Sequence, residues 1–210
     1  MSMKNFCRIC KGVKFKIFLQ LDKFPVFFGA TPANEEVKCF PLSIAICERC
    51  SLVQQINLLD EKILNEIYTA DYYYESPSPV STGMGVREIE RFFSFFESCS
   101  IKPAKVLEIA CFDGYLLAKL QKLGWDVYGC DPSQITKGVV KLVGEERIVN
   151  DFFTKETFPP VSFDVIIFRN LLEHIYDIHD FIQTVFHVLK PGGKILIDVP
   201  NVKAILNVGG

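Results

Sequence analysis

The 210-residue chain is 49% apolar and 23% charged, and its 23 basic and 25 acidic side chains give a formal net charge of −2. That balance suits one medium globular domain plus a small one, and it excludes both a strongly basic nucleic-acid binder and an acidic tail. Neither the lysine-sprinkled start, "MSMKNFCRICKGVKFKIFLQ", nor any later stretch carries a signal-peptide apolar run or the roughly 18 apolar residues of a membrane span, so a cytoplasmic location is expected.

The first elements in chain order are built on cysteine. Cys7 and Cys10 form one C-x-x-C in "FCRIC", and Cys47 and Cys50 form another in "ICERC", with 36 residues between the pairs. Where thiols stay reduced, clustered cysteines read as metal ligands rather than disulfides. Two such knuckles each aim two thiolates at one ion, the pattern of a tetrahedral zinc site. All three histidines lie between positions 174 and 187, so four thiolates are expected, with Cys39 the one possible substitute. A site with four protein ligands has no open position for substrate, which makes the expected zinc structural. Between the knuckles, "KFPVFFGATPANEEVKCFPLSIAI" carries three prolines and short apolar runs, which favours strands and turns over helices. Residues 1–58 therefore read as a small zinc-binding module.

Residues 59–100 read as a helical linker. "LLDEKILNEIYT" and "GMGVREIERFFSFFESC" have helical spacing, and the proline-broken, tyrosine-rich "ADYYYESPSPVSTG" separates them. The phenylalanine stripe of "RFFSFFESC" fits a helix packing on a core. From about residue 104 short apolar runs alternate with helices: strand "AKVLEIA", helix "GYLLAKLQKLG", strand "WDVYGCD", a helix from Ser133, strands "ERIVN" and "FDVIIF", helix "DIHDFIQTVFHVLK", turn "PGG" and strand "KILIDVP". The expected fold class is α/β, a doubly wound, mainly parallel sheet with helices on both faces. Ligands of such sheets sit beyond the carboxyl ends of the strands.

The turn after the first of these strands, in "VLEIACFDGYLL", would need glycines at 110, 112 and 115 to be a dinucleotide loop, and it has Ala110, Phe112 and Tyr115. A pyrophosphate has no obvious cradle there. Asp131, at the end of the next strand, is placed as an acceptor for ribose hydroxyls, as any adenosine cofactor would need. Asp151 and Phe152, after the third strand, offer an acceptor and an aromatic edge to an adenine.

On these motifs the segment from about 104 to 200 resembles the class I S-adenosylmethionine-dependent methyltransferases. The resemblance covers the first-strand acid Glu108, the small-residue turn closing on Gly114, the ribose acid Asp131, the adenine acid Asp151 and the "LKPGG" turn into the fifth strand. It implies a cofactor site of Glu108, Ala110, Asp113, Gly114, Asp131, Pro132, Asp151, Phe152 and Asn170. With the two C-x-x-C pairs, "PLSIAICERCSLVQQ" and "YYYESPSPVSTGM", the chain resembles bacterial sugar C-methyltransferases that act on nucleotide-linked keto-deoxysugars. That resemblance implies S-adenosylmethionine as cofactor, a small nucleotide-linked sugar as partner and no nucleic acid or membrane. It carries a catalytic-site role onto His174 of "RNLLEHIYD", with Glu173 beside it, and gives Tyr74, more than Tyr72, a place over the active site. O- or N-methylation of a sugar or small metabolite, and cofactor binding without catalysis, are the alternative readings. The superfamily sheet continues for two strands after the fifth, so residues 101–210 are expected to be a core whose last strands lie beyond a fragment.

Overall fold

The structure, a computed structural model, describes residues 6–25, 39–57, 59, 62–63, 84–133 and 136–201. The chain divides into two compact units, one around the N-terminal cysteines and one built on a parallel sheet.

In the N-terminal unit β1 (Phe15–Pro25) pairs antiparallel with β2 (Cys39–Cys47), which pairs antiparallel with β3 (Val53–Gln55). Strands and turns were the expectation for this proline-rich stretch. Ser43, Ala45 and Cys47 alternate inward along β2, as the two-residue period of a strand requires. That parity brings Cys47 to the inner face at the strand's end. Nearly all of β1 is exposed, and its register with β2 shifts between Ile17 and Leu19 and again between Leu21 and Phe24.

Among the described residues the second unit begins with helix α1 (Met84–Ser98), in the second half of the segment read as a helical linker. It buries Ile89, Phe92, Phe93 and Phe96 while Phe95 stays exposed, and the Phe96 ring meets Trp125 edge-on at 5.0 Å between centroids. Then follow β4 (Lys105–Ile109), α2 (Tyr115–Lys122), β5 (Asp126–Cys130), α3 (Thr136–Val143), β6 (Ile148–Val149), β7 (Phe163–Arg169), α4 (Ile178–Val188) and β8 (Leu189–Asp198). The five strands lie in the order β6-β5-β4-β7-β8, all parallel. The chain thus starts mid-sheet, runs outward to β6, then returns beside β4 to run the other way. In sheets of this order the switch point, here between β4 and β7, is where a crevice forms beyond the strands' carboxyl ends.

Both faces are covered, as expected of near-continuous apolar strands. On one face Val106, Val127, Val165 and Ile167 pack with α1, α2 and α3. On the other, Leu107, Ile109, Ile166 and Phe168 pack with Phe181, Val185 and Val188 of α4.

Two boundaries depart from expectation. The helix expected from Ser133 is α3, Thr136–Val143, and Ser133 itself lies in a bend, its backbone N–H donating to Asp131 Oδ1 (2.9 Å). The "PGG" turn is not separate from the strand after it. Leu189 already pairs with Phe163, and pairing resumes at Val165 with Lys194, so Pro191 to Gly193 bulge out within β8.

Candidate functional site

The turn between β4 and α2 is held to the end of β5 by its backbone. The N–H groups of Ala110 and Cys111 both donate to the carbonyl of Cys130, at 2.8 and 3.2 Å, and Gly114 N–H donates to the carbonyl of Cys111 at 2.9 Å. This path places three alternate residues in the left-handed region: Ala110 (φ 59°), Phe112 (φ 47°) and Gly114 (φ 68°). Only glycine enters that region freely, so Ala110 and Phe112 hold strain of about 1 kcal/mol or more each. Gly114 is required for space as well. A Cβ there would lie 2.3 Å from Cγ1 of Val139 on α3. Asp113, half-buried, accepts from the N–H of Tyr115 at 3.2 Å and so occupies an orphan donor of the first turn of α2. Gly129 on β5 is a close approach that the sequence did not reveal, since a Cβ there would meet Leu117 Cδ1 at 2.7 Å and Cys111 Sγ at 2.8 Å.

Glu108, one residue before the end of β4, is buried, 1% exposed. Its Oε1 accepts two bonds from Arg169, from Nε at 3.3 Å and Nη2 at 3.2 Å. Its Oε2 is buried, and no donor among the described residues reaches it. Burial raises the Glu108 carboxyl to about 7; Arg169 opposes the rise, and Asp113 and Asp131 add to it. An acceptor that is buried, orphaned and close to ionisation is the feature of this crevice that calls for a cationic donor. Burial also pushes the Cys111 and Cys130 thiols up, which keeps both neutral.

Asp131 is more heavily engaged than an acid reserved for a ribose. Its Oδ2 accepts from Phe112 N–H (3.1 Å), and its Oδ1 accepts from the N–H (2.9 Å) and hydroxyl (2.6 Å) of Ser133. A carboxylate has about four acceptor positions, so about one is left for a ligand hydroxyl. Asn150 braces the same turn, its amide donating to the carbonyls of Asp131 (2.9 Å) and Ser133 (2.8 Å) and to Thr136 Oγ1 (3.1 Å). Pro132 is half-buried between these anchored neighbours. Asp151 and Phe152, exposed, follow β6, and Asp151 accepts from Phe152 N–H at 2.7 Å. Asn170, left-handed at φ 47° and exposed, donates its N–H to the carbonyl of Asp198 at 2.9 Å. Glu173 and His174 are exposed in a 3-10 turn, Leu172–His174, that follows β7.

The expected site residues Glu108, Ala110, Asp113, Gly114, Asp131, Pro132, Asp151, Phe152, Asn170, Glu173 and His174 therefore all lie at or after the carboxyl ends of strands β4, β5, β6 and β7. Tyr72 and Tyr74 lie outside the described residues. Arg169, Ser133 and Asn150 were not singled out from the sequence. For Arg169 a signal existed, a cation closing the apolar strand "FDVIIFR".

The four cysteines of the two knuckles come together in the N-terminal unit, their Sγ atoms all within 4.8 Å of one another. Cys7 and Cys50 are 3.4 Å apart and Cys10 and Cys47 3.5 Å. Four sulfurs at about 2.3 Å from one tetrahedral ion would stand about 3.8 Å apart, so the donor set fits such an ion. The knuckles are built alike. Lys11 N–H donates to Cys7 carbonyl and Ser51 N–H to Cys47 carbonyl, both at 2.9 Å, with Lys11 (φ 58°) and Ser51 (φ 62°) left-handed. Gln54 of β3 ties in the first knuckle, accepting from Arg8 N–H (3.0 Å) and donating to the Phe6 carbonyl (3.2 Å). Cys39, at the opposite end of β2 from Cys47, is not among the clustered four.

Residues 84–207 match the family described as "Methyltransferase domain". Over 101 residues the chain is 31% identical to the ubiquinone biosynthesis O-methyltransferase of Bradyrhizobium diazoefficiens, covering 46% of this chain and 40% of that protein. Over 126 residues it is 36% identical to phosphoethanolamine N-methyltransferase 1 of Arabidopsis thaliana, covering 56% of this chain and 25% of that one. The chain spans less than half the length of these curated relatives. The PH0226 protein from Pyrococcus horikoshii OT3 shares the fold, with a TM-score of 0.51 at 21% identity over 72% of this chain and 66% of its own. The family match takes in the whole parallel sheet, from α1 to β8, and on that ground the chain belongs to the class I S-adenosylmethionine-dependent methyltransferases.

Proposed function

We propose that the crevice beyond β4, β5 and β7 binds S-adenosylmethionine and that the chain transfers its methyl to a carbon beside the ketone of a nucleotide-linked deoxysugar. The observation that carries cofactor binding is the orphaned, buried Oε2 of Glu108, which suits the ammonium of the methionine moiety. Asp131 has an acceptor position left for a ribose hydroxyl, and Asp151 and Phe152 flank the end of the next strand, where an adenine would lie. The left-handed turn from Ala110 to Gly114 lets backbone rather than side chain face the ligand at Gly114. Bound S-adenosylmethionine supplies an electrophilic methyl on sulfonium.

The acceptor chemistry falls to the residues after β7. His174 is the group we assign to take the proton next to the ketone, with Glu173 holding the turn and Tyr74 contributing to the substrate side. His174→Ala is expected to reduce turnover by about a hundredfold or more while leaving cofactor affinity within a factor of two or three, as read by product formation and titration calorimetry. Equal losses in both would remove the catalytic assignment. The sugar acceptor is supported by the paired C-x-x-C knuckles joined to this core. Methylation of oxygen is a second reading, favoured by the curated relatives whose names are O-methyltransferases. Locating the transferred methyl in the product separates the two: attachment to carbon supports the first, attachment to oxygen the second.

Cofactor affinity should depend on pH through Glu108. Its carboxyl ionises at about 7 in the free protein, and a cationic ligand favours the ionised form. Affinity is then highest above pH 7 and falls on acidification through 7, by about tenfold per unit below it. Glu108→Gln should cost roughly thirtyfold in affinity, about 2 kcal/mol, and flatten the profile. A profile unchanged in that variant would exclude Glu108 as the titrating group.

The four thiolates we assign to one structural zinc ion. Its function is to hold the small sheet together rather than to meet substrate, since four protein ligands close its coordination.

A further inference from the structure

We infer that Arg169 is a positioning residue for the cofactor: by occupying Oε1 of Glu108 with both of its donors it fixes the carboxyl and leaves Oε2 as the acceptor offered to a cationic ligand. The inference rests on the reading of the crevice as an S-adenosylmethionine site and deepens it.

The geometry is specific. Arg169 closes β7, the neighbour of β4 across the switch point, and both of its bonds, from Nε and Nη2, go to the same oxygen of Glu108. A bidentate pair shared between both carboxylate oxygens would satisfy Oε2 as well. Here one oxygen takes both donors, and the other is left buried without a donor among the described residues. The guanidinium is itself held, 16% exposed, with the Phe92 ring of α1 5.4 Å from its central carbon. It therefore cannot swing toward the free oxygen without leaving a packed position.

The electrostatic surroundings give that cation a task. Among the described residues, the charged groups that act on Glu108 are Asp113 from the turn before α2, Asp131 after β5 and Arg169 from β7, with the neutral Cys111 and Cys130 thiols alongside. Two carboxylates and full burial all work against a third negative charge. Among the described residues Arg169 is the cation that opposes them, and removing its charge would extend protonation of Glu108 to higher pH. A protonated Glu108 presents a neutral hydroxyl or carbonyl to an ammonium instead of a carboxylate. Arginine also stays charged throughout the working pH range, so the device itself does not titrate.

The test is calorimetric titration of S-adenosylhomocysteine, which carries the same ammonium and cannot transfer a methyl, into the full chain between pH 5.5 and 8.5. For Arg169→Gln the midpoint of the affinity profile is expected to rise by about one pH unit or more relative to wild type, with about a fivefold or greater loss of affinity at pH 7. Arg169→Lys retains charge without the two-pronged contact, and its midpoint is expected to stay nearer that of wild type while affinity falls. A wild-type midpoint in Arg169→Gln, with affinity lowered equally at every pH, would show a purely structural role and overturn the inference. Should the glutamine variant not fold, the lysine variant decides: a midpoint displaced by a unit or more despite its retained charge would overturn it. Wild-type protein that binds no S-adenosylhomocysteine at any pH would instead overturn the cofactor reading beneath it.

Discussion

Substituting Gly114 by alanine is expected to cost about 3 kcal/mol or more of stability in the parallel-sheet unit and to abolish cofactor binding. Two independent penalties add at this position. The new Cβ would lie 2.3 Å from Val139 Cγ1 and 3.0 Å from Cγ2, an overlap that neither α2 nor α3 can absorb without shifting. The backbone at φ 68° is also a conformation in which an L side chain costs about 1 kcal/mol or more. Denaturant unfolding measures the loss, and a double variant with Val139→Ala divides it. Opening space at Val139 should return the overlap part and leave the backbone part, so partial recovery is expected. Wild-type stability in Gly114→Ala would mean that the turn adopts a different path. Ala110→Gly makes the contrast. It relieves a left-handed alanine at the expense of unfolded-state entropy, and should change stability by less than about 1 kcal/mol.

Removing the proposed zinc is expected to unfold the N-terminal unit while the parallel sheet persists. Among the described residues of that unit, Cys7, Ser43, Ala45, Cys47 and Gln54 are the buried ones. Two of the five are thiol ligands, and two of the rest are polar, so there is little apolar core to replace a lost ion. Metal binding in small cysteine sites supplies about 10 kcal/mol or more of folding free energy. Freshly purified protein should hold one zinc per chain by elemental analysis. Cys47→Ser or chelation should remove it together with amide-exchange protection of β2, leaving that of β4 and β7 in place. A metal-free preparation with β2 still protected would contradict a structural ion.

How much of this could be read in advance differs between the two units. Alternating buried strands and amphipathic helices made the α/β class legible, because those features depend on local periodicity. Gly114 was legible as the residue on which the small-residue turn closes. That Ala110 and Phe112 share the left-handed conformation was not, since neither residue type signals it. The carboxylate of Asp131 shows why a residue's role is harder to read than its place. The acid stands at the expected strand end, yet three of its acceptor positions are taken by Phe112 and Ser133, bonds between segments that are distant in sequence or local to a turn no pattern marks. Arg169 reaches Glu108 only because β7 returns beside β4, a pairing set by the switch in strand order. The bulge at "PGG" likewise follows from β8 catching Phe163 before the turn is complete. In the N-terminal unit the C-x-x-C spacing brought the four thiols together on paper as it does in space, while the length and exposure of β1 had no counterpart in the sequence pattern.

Titration calorimetry of S-adenosylmethionine into the full wild-type chain at pH 8 reads cofactor binding at Glu108. The expected result is a single site per chain, displaced by S-adenosylhomocysteine and weakened roughly thirtyfold by Glu108→Gln. Binding that is absent at millimolar cofactor, or that Glu108→Gln leaves untouched, would contradict the assignment of the crevice.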